Sequence, residues 1–412
     1  MKRWNTIQSM ATQAKRDIPA YERLMLLMKV GNYDDALTMV SGSDLRSIWA
    51  PDDISRLRFR CMISDVWDYG GCYADAKNVL FDGERNEHIG ETAKKALRTV
   101  RDVHDLRDLA MAKQQCWSLL LWGMTYFRSS YGSSDIAPSQ DSTALTPPLD
   151  EAMELFQLAL KIAQILHEST KIQITGTLAR AWYCIGLAHR ERRESQKARA
   201  AFRRALELTE DGIEERKLNN ESTASFEFNM ARCTGLGMGW IAYNEARLTE
   251  ASAALVMARH LMRRVNARMI SKYLDTVQAT IMMSESAQPG RIREAINLLE
   301  DAYSTFVPEK GPGHNHYALR CLNELGLAYL RLAHATIDDK QQYEKNLATA
   351  RSYVLRVKNP GPQLKKERLS YCLALITEAR IQRELGAPDE ALKLAEQAKK
   401  GDACFLRCLD SY

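Results

Sequence analysis

Histidine, cysteine and glycine are the residues through which this chain could do chemistry, and each occurs in a spacing worth testing. His314 and His316 stand two apart, as two loop ligands to one metal would, with His88 or His104 to complete a set. No cysteine or carboxylate stands near them at a spacing that zinc or a related ion uses, so neither metal nor cofactor is expected. Gly235, Gly237 and Gly239, in CTGLGMGW, have the look of a phosphate-cradling loop. No strand precedes them and the surrounding periodicity is helical, so close helix packing is the better explanation. The sequence holds 9 cysteines and no CxxC pair. Cys116, Cys184, Cys233, Cys321 and Cys372 lie in apolar segments and read as small, reduced core residues. None has the exposed, activating context of a nucleophile. GxxxxGK[ST], the Rossmann glycine fingerprint, HExxH and GxSxG are all absent. The chain is therefore expected not to be an enzyme.

A second kind of chemistry is electrostatic. Arg190, Arg192, Arg193, Lys197, Arg199, Arg203 and Arg204 crowd one stretch in which Glu191 and Glu194 are the acidic residues. Such a patch could hold phosphate, RNA or an acidic partner, or simply form a solvated helix face. His260, Arg263 and Arg264 are a smaller version. Over the 412 residues the net charge is only +5, which gives no strong field, so obligatory binding to nucleic acid or an acidic membrane is not implied.

The elements that must position these residues are helices. Alternating Val/Ile/Thr-rich runs do not recur, whereas apolar residues at three-and-four spacing run almost end to end, and the apolar share is 45%. The longest apolar run, Cys116 to Phe127, is interrupted by Ser118 and Thr125 and falls short of the roughly 20 residues a membrane span needs. It predicts a buried helix. Met1 to Asp17 carry Lys2, Arg3, Lys15 and Arg16 and no apolar run, which predicts no secretory signal and a cytoplasmic protein.

The helical segments come in pairs. The clearest is Ala179 to Glu210, with Trp182, Ile185-Gly186 and His189 on its first helix and Ala198, Phe202 and Ala205 on its second. Glycine and alanine let two antiparallel helices approach, and larger side chains fill the gap to the next pair. The pattern recurs around Gly31, Tyr33 and Ala36, around Gly71, Tyr73 and Ala76, and with Trp122-Gly123 set against Ala152, Phe156 and Ala159. It returns at Gly239 with Ala251 and Leu255, and at Gly290 with Ala295 and Leu299. Two further units pair Leu325-Gly326 with Leu347 and Ala350, and Ala379 and Gly386 with Ala391 and Ala395.

This aromatic, apolar-glycine, turn, small-large-small arrangement closely resembles the tetratricopeptide repeat. The first-helix positions Gly123, Gly186, Gly239, Met283, Gly326 and Ala379 are spaced more widely than the about 34 residues typical of that repeat. Such lengthened units resemble those of kinesin light chains, bacterial peptide-sensing regulators and ligand-sensing domains of large signalling ATPases. The resemblance implies an all-α, right-handed superhelical solenoid of about eight antiparallel helix pairs, with first helices lining a concave wall. Residues 1–108 are expected to hold N-terminal pairs and a bridging helix over Phe81 to Asp108, and residues 109–412 the main superhelix, with an irregular insertion near 129–148. Val307 to His316 reads as a rigid Pro/Gly loop, and Ala403 to Tyr412 as a terminal cap or docking surface.

On that wall, residues one turn from the packing positions point into the groove. In the first half of the chain they are Trp117, Leu120, Met124, Phe127, Tyr183, Leu187 and Arg190. Leu236, Trp240, Tyr243, Asn323, Leu327, Arg331, Arg380 and Arg383 continue the set. Aromatic and arginine side chains are what a bound peptide or helix needs. Some members of the family clamp the acidic tail of a chaperone with Lys and Asn on successive first helices. Here those places hold Tyr183, Leu187, Leu236 and Trp240, so that clamp is absent. The expected function is a non-catalytic scaffold or adaptor that takes a peptide, helix or loop of a partner protein in its groove. A ligand- or peptide-responsive regulatory sensor is the alternative, and nucleic-acid binding through the basic patch a further one.

Overall fold

A computed structural model describes residues 20–41, 52–82, 87–106, 108–129, 147–169, 174–219, 221–265, 267–307, 314–361, 364 and 368–401. Among the described residues the fold is all-α, its helices following one another as packed pairs, with one short two-stranded pairing. It divides into two compact units: one made of Met1–Phe127, Pro148–Ile241 and Ala254–Ile270, the other of Arg128–Pro147, Ala242–Ala253 and Ser271–Tyr412. Residue 108, the expected boundary, falls inside the first. Most of the insertion near 129–148 lies outside the described residues, as do Ala403 to Tyr412 and the middle of the Val307 to His316 loop.

The first unit begins with two short pairs, α1 (Ala20–Lys29) with α2 (Tyr33–Ser41), and α3 (Asp53–Tyr69) with α4 (Tyr73–Val79). Asp52 caps α3 by accepting from the Ser55 amide at 2.7 Å. Both interhelix turns pass through a left-handed glycine, Gly31 at φ 74° and Gly71 at φ 71°. Gly31 is also needed for space, because a Cβ there would stand 2.6 Å from that of Ala224.

The single bridging helix expected over Phe81 to Asp108 is replaced by smaller pieces. Phe81–Asp82 pairs antiparallel with Glu87–His88, and α5 (Ile89–Leu97) and a 3₁₀ turn (Val103–Asp105) follow. Gly90 lies so close to Trp122 that a Cβ would meet its ring at 2.7 Å.

Next come α6 (Leu109–Ser129), α7 (Pro147–Ser169), α8 (Thr175–Glu191) and α9 (Ser195–Leu218). The small-against-large code operates identically in both pairs. A Cβ on Gly123 would meet the Phe156 ring at 2.5 Å, and one on Gly186 the Phe202 ring at 2.6 Å. Each phenylalanine is fully buried, which contributes about 2–3 kcal/mol. A continuous helical stretch follows: α10 (Ala224–Ala231), a π-helical segment (Arg232–Gly239) and α11 (Trp240–Asn244), then α12 (Leu248–Arg264). Gly237 also packs against the Phe202 ring, where a Cβ would come within 2.9 Å. Gly237 at least serves close packing of this segment against α9.

The second unit contains α13 (Arg268–Glu285, from Ser271 on), α14 (Pro289–Phe306), α15 (Asn315–Ala335), α16 (Lys340–Lys358), α17 (Arg368–Glu384) and α18 (Pro388–Gly401). Pro289 opens α14 where its missing N–H is harmless, and Asp339 caps α16 by accepting from the Gln342 amide at 3.1 Å. Leu319, Leu322, Leu330, Val354 and Ile381 form the core of α15, α16 and α17. Gly326 again marks the close approach, with Val354 3.1 Å from a Cβ placed on it. Leu375, Leu394 and Ala398 close the last pair.

Candidate functional site

Three helices of the first unit turn one face each toward a common space. Arg58, Met62 and Asp65 on α3, and Lys113, Trp117 and Leu120 on α6, repeat at four-and-three spacing, so each trio lies along one helical stripe. Met25, Met28 and Lys29 do the same on α1. Together with residues of α8, α9 and α10 they line a half-open cavity of about 480 Å³, within the roughly 300–1,000 Å³ range of small-molecule sites.

One wall of this cavity is a buried ionic and aromatic network. Arg180 donates from both terminal nitrogens to Asp65, at 2.6 and 2.5 Å. Arg232 stands 3.6 Å from Asp68 and lays its guanidinium over the rings of Tyr183, at 4.9 Å, and Phe228, at 5.4 Å. Phe228 stacks on Tyr33 at 4.3 Å. Burial, reinforced by the Asp65 charge, pushes the Tyr33 hydroxyl well above its ordinary pKa, so it stays neutral. Beside it the Tyr69 hydroxyl donates to Asp34 and accepts from the Met269 amide at 3.0 Å, while Asp34 also takes the Arg268 amide at 3.2 Å. Residues far apart in sequence are thereby fixed around the cavity.

The lining is also cationic. Lys29, Arg58, Lys113 and Arg216 contribute to it, and Glu215 is the acidic residue among them. Burial first, and then the charges of Arg58 and Arg216, hold the Lys113 ammonium below the usual lysine pKa. Arg216 leans over Phe226 at 6.0 Å and pairs with Glu221. Gln114, only 8% exposed, brings a side-chain oxygen for which the described residues offer no hydrogen-bond partner.

The residues predicted for the groove fare unequally. Trp117 lines the cavity, and Trp240 is half-buried. Met124 and Phe127 are 2% and 0% exposed, packed within the unit, and so do not line an open groove. The reason is that α6 is covered on more than one face. Tyr183 is buried beneath Arg232, and Leu187 is buried too. Arg190 donates to the Leu236 carbonyl at 2.7 Å and to Glu191 at 2.6 Å, which ties α8 to the π-helical segment.

In the second unit Tyr243 shares a 3.3 Å hydrogen bond with Ser284, and burial raises its pKa. Asn323 is 4% exposed and donates to the Ser370 carbonyl at 2.9 Å, so it is a structural strut and does not face a groove. Arg331 donates to the Met283 carbonyl, and Leu327 is buried. Arg380 is half-buried, and Arg383 keeps 69% of its side chain exposed beside Glu384.

The basic patch is laced with carboxylates. Arg192 pairs with Asp150, Lys197 with Glu194 at 3.0 Å, and Arg204 with Glu207 at 2.8 Å. Arg203 is exposed, Arg199 is half-buried, and Arg193 occupies the turn in the left-handed region at φ 60°.

Among the described residues no group of three or more His, Cys, Asp and Glu could hold a metal ion. His314 is buried and His316 packs against Tyr317. The described cysteines are all free thiols. Burial pushes Cys116 up to about 12 and Cys61, Cys233 and Cys321 higher still, the reverse of an activated nucleophile. No helix among the described residues is long and apolar enough to cross a membrane.

Residues 179–211 match the tetratricopeptide repeat family. No curated protein sequence matches the chain. Among solved structures, the apo form of RapI is similar at 13% sequence identity and a TM-score of 0.41, over 82% of this chain and 97% of that one.

Proposed function

Residues 179–211 match the tetratricopeptide repeat, and we propose that the chain is a non-catalytic scaffold or adaptor of that kind, docking a peptide or helical segment of a partner protein on its first helices. The fold is one that serves protein interaction. The observation that supports the finer reading is that Tyr243 on α11 and Arg380 and Arg383 on α17, all in the second unit, stay partly or largely exposed, as does Trp240 in the first. Aromatic and guanidinium groups provide most of an interface's energy, and folded helices present them at little ordering cost.

The test is co-purification from native lysate with the tagged chain and with a Trp240→Ala, Tyr243→Ala, Arg380→Ala triple variant, after circular dichroism shows the variant folded. A stoichiometric partner lost with the variant supports docking on these helices. A partner that stays bound, or no specific partner, overturns it.

A second reading, a ligand-responsive regulator, is favoured by the cavity in the first unit. A ligand seated among α1, α3, α6 and α10 would stabilise the arrangement in which those helices contact it.

A further inference from the structure

The charges around the half-open cavity of the first unit are already engaged. Arg180 and Asp65 hold each other through two hydrogen bonds, Arg216 pairs with Glu221, and neither Lys113 nor Glu215 is without a partner. Lys29 and Arg58 are exposed, where water screens them. What the lining still presents is neutral, and it is of two kinds. The first is apolar: Met25 and Met28 on α1 and Trp117 on α6 line the cavity half-buried, together with the buried ring of Phe226. That ring is held in place, since a Cβ on Gly212 would collide with it, whereas methionine side chains adjust to the shape of an occupant. Thioethers set among rings favour an aromatic body. The second kind forms hydrogen bonds. Ser225 and Asn229 lie one turn apart on α10, Thr175 opens α8, and all three line the cavity half-buried. Gln114 on α6 lines it too, only 8% exposed, and its side-chain oxygen has no hydrogen-bond donor among the described residues. A buried acceptor without a donor is unfavourable, and the last torsion of a glutamine is soft enough to turn its oxygen toward a donor that enters the cavity.

We propose that this cavity binds a small neutral molecule with an aromatic body and an amide N–H, its ring against Met25, Met28 and Trp117 and its N–H donated to Gln114. Thr175, Ser225 and Asn229 supply hydrogen bonds to the rest of the amide. A carboxylate in place of the amide gains little, because the cations not already engaged are the water-screened Lys29 and Arg58. An ammonium loses, because the lining holds more cations than carboxylates. The volume of about 480 Å³ suits a ligand of this class. The inference rests on the ligand-responsive reading for any regulatory meaning, while the binding itself is independent of that reading and of partner docking.

The experiment titrates the full chain, labelled with ¹³C at methionine methyls, with probes built on one phenyl body: neutral hydrocinnamamide, methyl hydrocinnamate, which lacks the N–H, anionic hydrocinnamate and cationic phenylpropylammonium. Met25→Leu and Met28→Leu assign the resonances at the site. The expected result is saturable shifts of both methyls with the amide and an affinity for the ester lower by about threefold to tenfold, as loss of one neutral hydrogen bond implies. The carboxylate should bind no tighter than the amide, and the ammonium more weakly. Gln114→Met keeps the length of the side chain and removes the acceptor, so it should bring the amide down to the ester's affinity and leave the ester's own unchanged. A glutamine that only shapes the wall would move both probes alike. Should Gln114→Met fail to fold, the amide-to-ester ratio of the wild type carries the test. Equal affinity for amide and ester, a folded Gln114→Met variant that keeps the amide's advantage, a carboxylate or ammonium bound more tightly than the amide, or no saturable shift up to about 10 mM overturns the proposal. Sedimentation of the chain saturated with hydrocinnamamide separates the two ideas: binding with no change in shape leaves the site standing and removes the regulatory reading.

Discussion

Arg180 and Asp65 are 115 positions apart in the chain and meet through two parallel hydrogen bonds inside the first unit, each side chain almost sealed from water. The pair joins the N-terminal α3 to α8, the first helix of the best-formed repeat. It also stands beside a second buried cation, Arg232, held by Asp68 and two aromatic rings. The N-terminal pairs are thereby locked to the repeat by charge as well as by apolar packing. Such a lock is directional, since two guanidinium bonds admit only one register of the two helices.

Removing one member should leave the other charged and buried. Arg180→Met is expected to destabilise the first unit by about 3–5 kcal/mol, and Asp65→Leu by a similar amount, whereas the double variant should recover most of the loss. Urea unfolding of the three variants checks this, and a double variant no more stable than either single one would show that the pair has no special coupling.

The glycine opposite Phe202 makes a second prediction. A methyl on Gly186 would press on the Phe202 ring at 2.6 Å, and Gly237 packs against the same ring, a Cβ there falling 2.9 Å away. Gly186→Ala should therefore lower stability by about 1–3 kcal/mol despite alanine's better helix propensity. Gly290→Ala, where nothing lies within 4 Å, should leave stability unchanged or raise it. Thermal melts of the two variants side by side provide the comparison, and equal melting temperatures would contradict it.

The repeat code was legible because it is local. Gly186 and Phe202, or Gly123 and Phe156, belong to adjacent helices, so their spacing along the chain carries the contact. The cavity was not legible in the same way. Trp117 was found by its helical position, but Arg58, Asp65, Lys113 and Arg180 come together only through tertiary packing across long stretches of sequence. The four-and-three stripes Arg58-Met62-Asp65 and Lys113-Trp117-Leu120 were the available signal, a mixed charged and apolar face that suits neither core nor open solvent. Met124, Phe127 and Asn323 failed as groove residues for one shared reason. Periodicity identifies which face of a helix is apolar, and it is silent on whether a neighbouring helix covers that face.

Asn323 makes the third prediction, in the second unit. Its amide supports the Ser370 carbonyl across 47 positions of sequence from a site with almost no water access. Asn323→Leu fills the space but removes the side-chain bond that reinforces that helical carbonyl, and should destabilise by about 0.5–1.5 kcal/mol. Hydrogen exchange should show the loss concentrated at the start of α17. Unchanged protection there would mean that the bond contributes nothing.

The last prediction concerns pH. The His88 ring caps α5, with Nδ1 accepting from the Glu91 amide at 3.3 Å, and lies 4.9 Å from the Trp122 ring. Burial lowers its pKa from the ordinary 6.5, the Lys77 charge lowers it further, and the Glu91 charge opposes them without overcoming the sum. Protonation would take away the lone pair that makes the cap and place a charge in a partly buried setting beside the Lys77 charge. The unfolded chain therefore binds this proton more readily than the folded one. Stability from His88 is fully present above the ordinary histidine value and declines as pH falls through it toward the lower folded value. His88→Asn keeps a cap acceptor and removes the titration. The urea midpoint of the wild type, relative to the variant, should be level between about pH 7 and 8 and fall between about pH 6.5 and 5. Parallel curves over the whole range would mean that the ring titrates alike in the folded and unfolded chains.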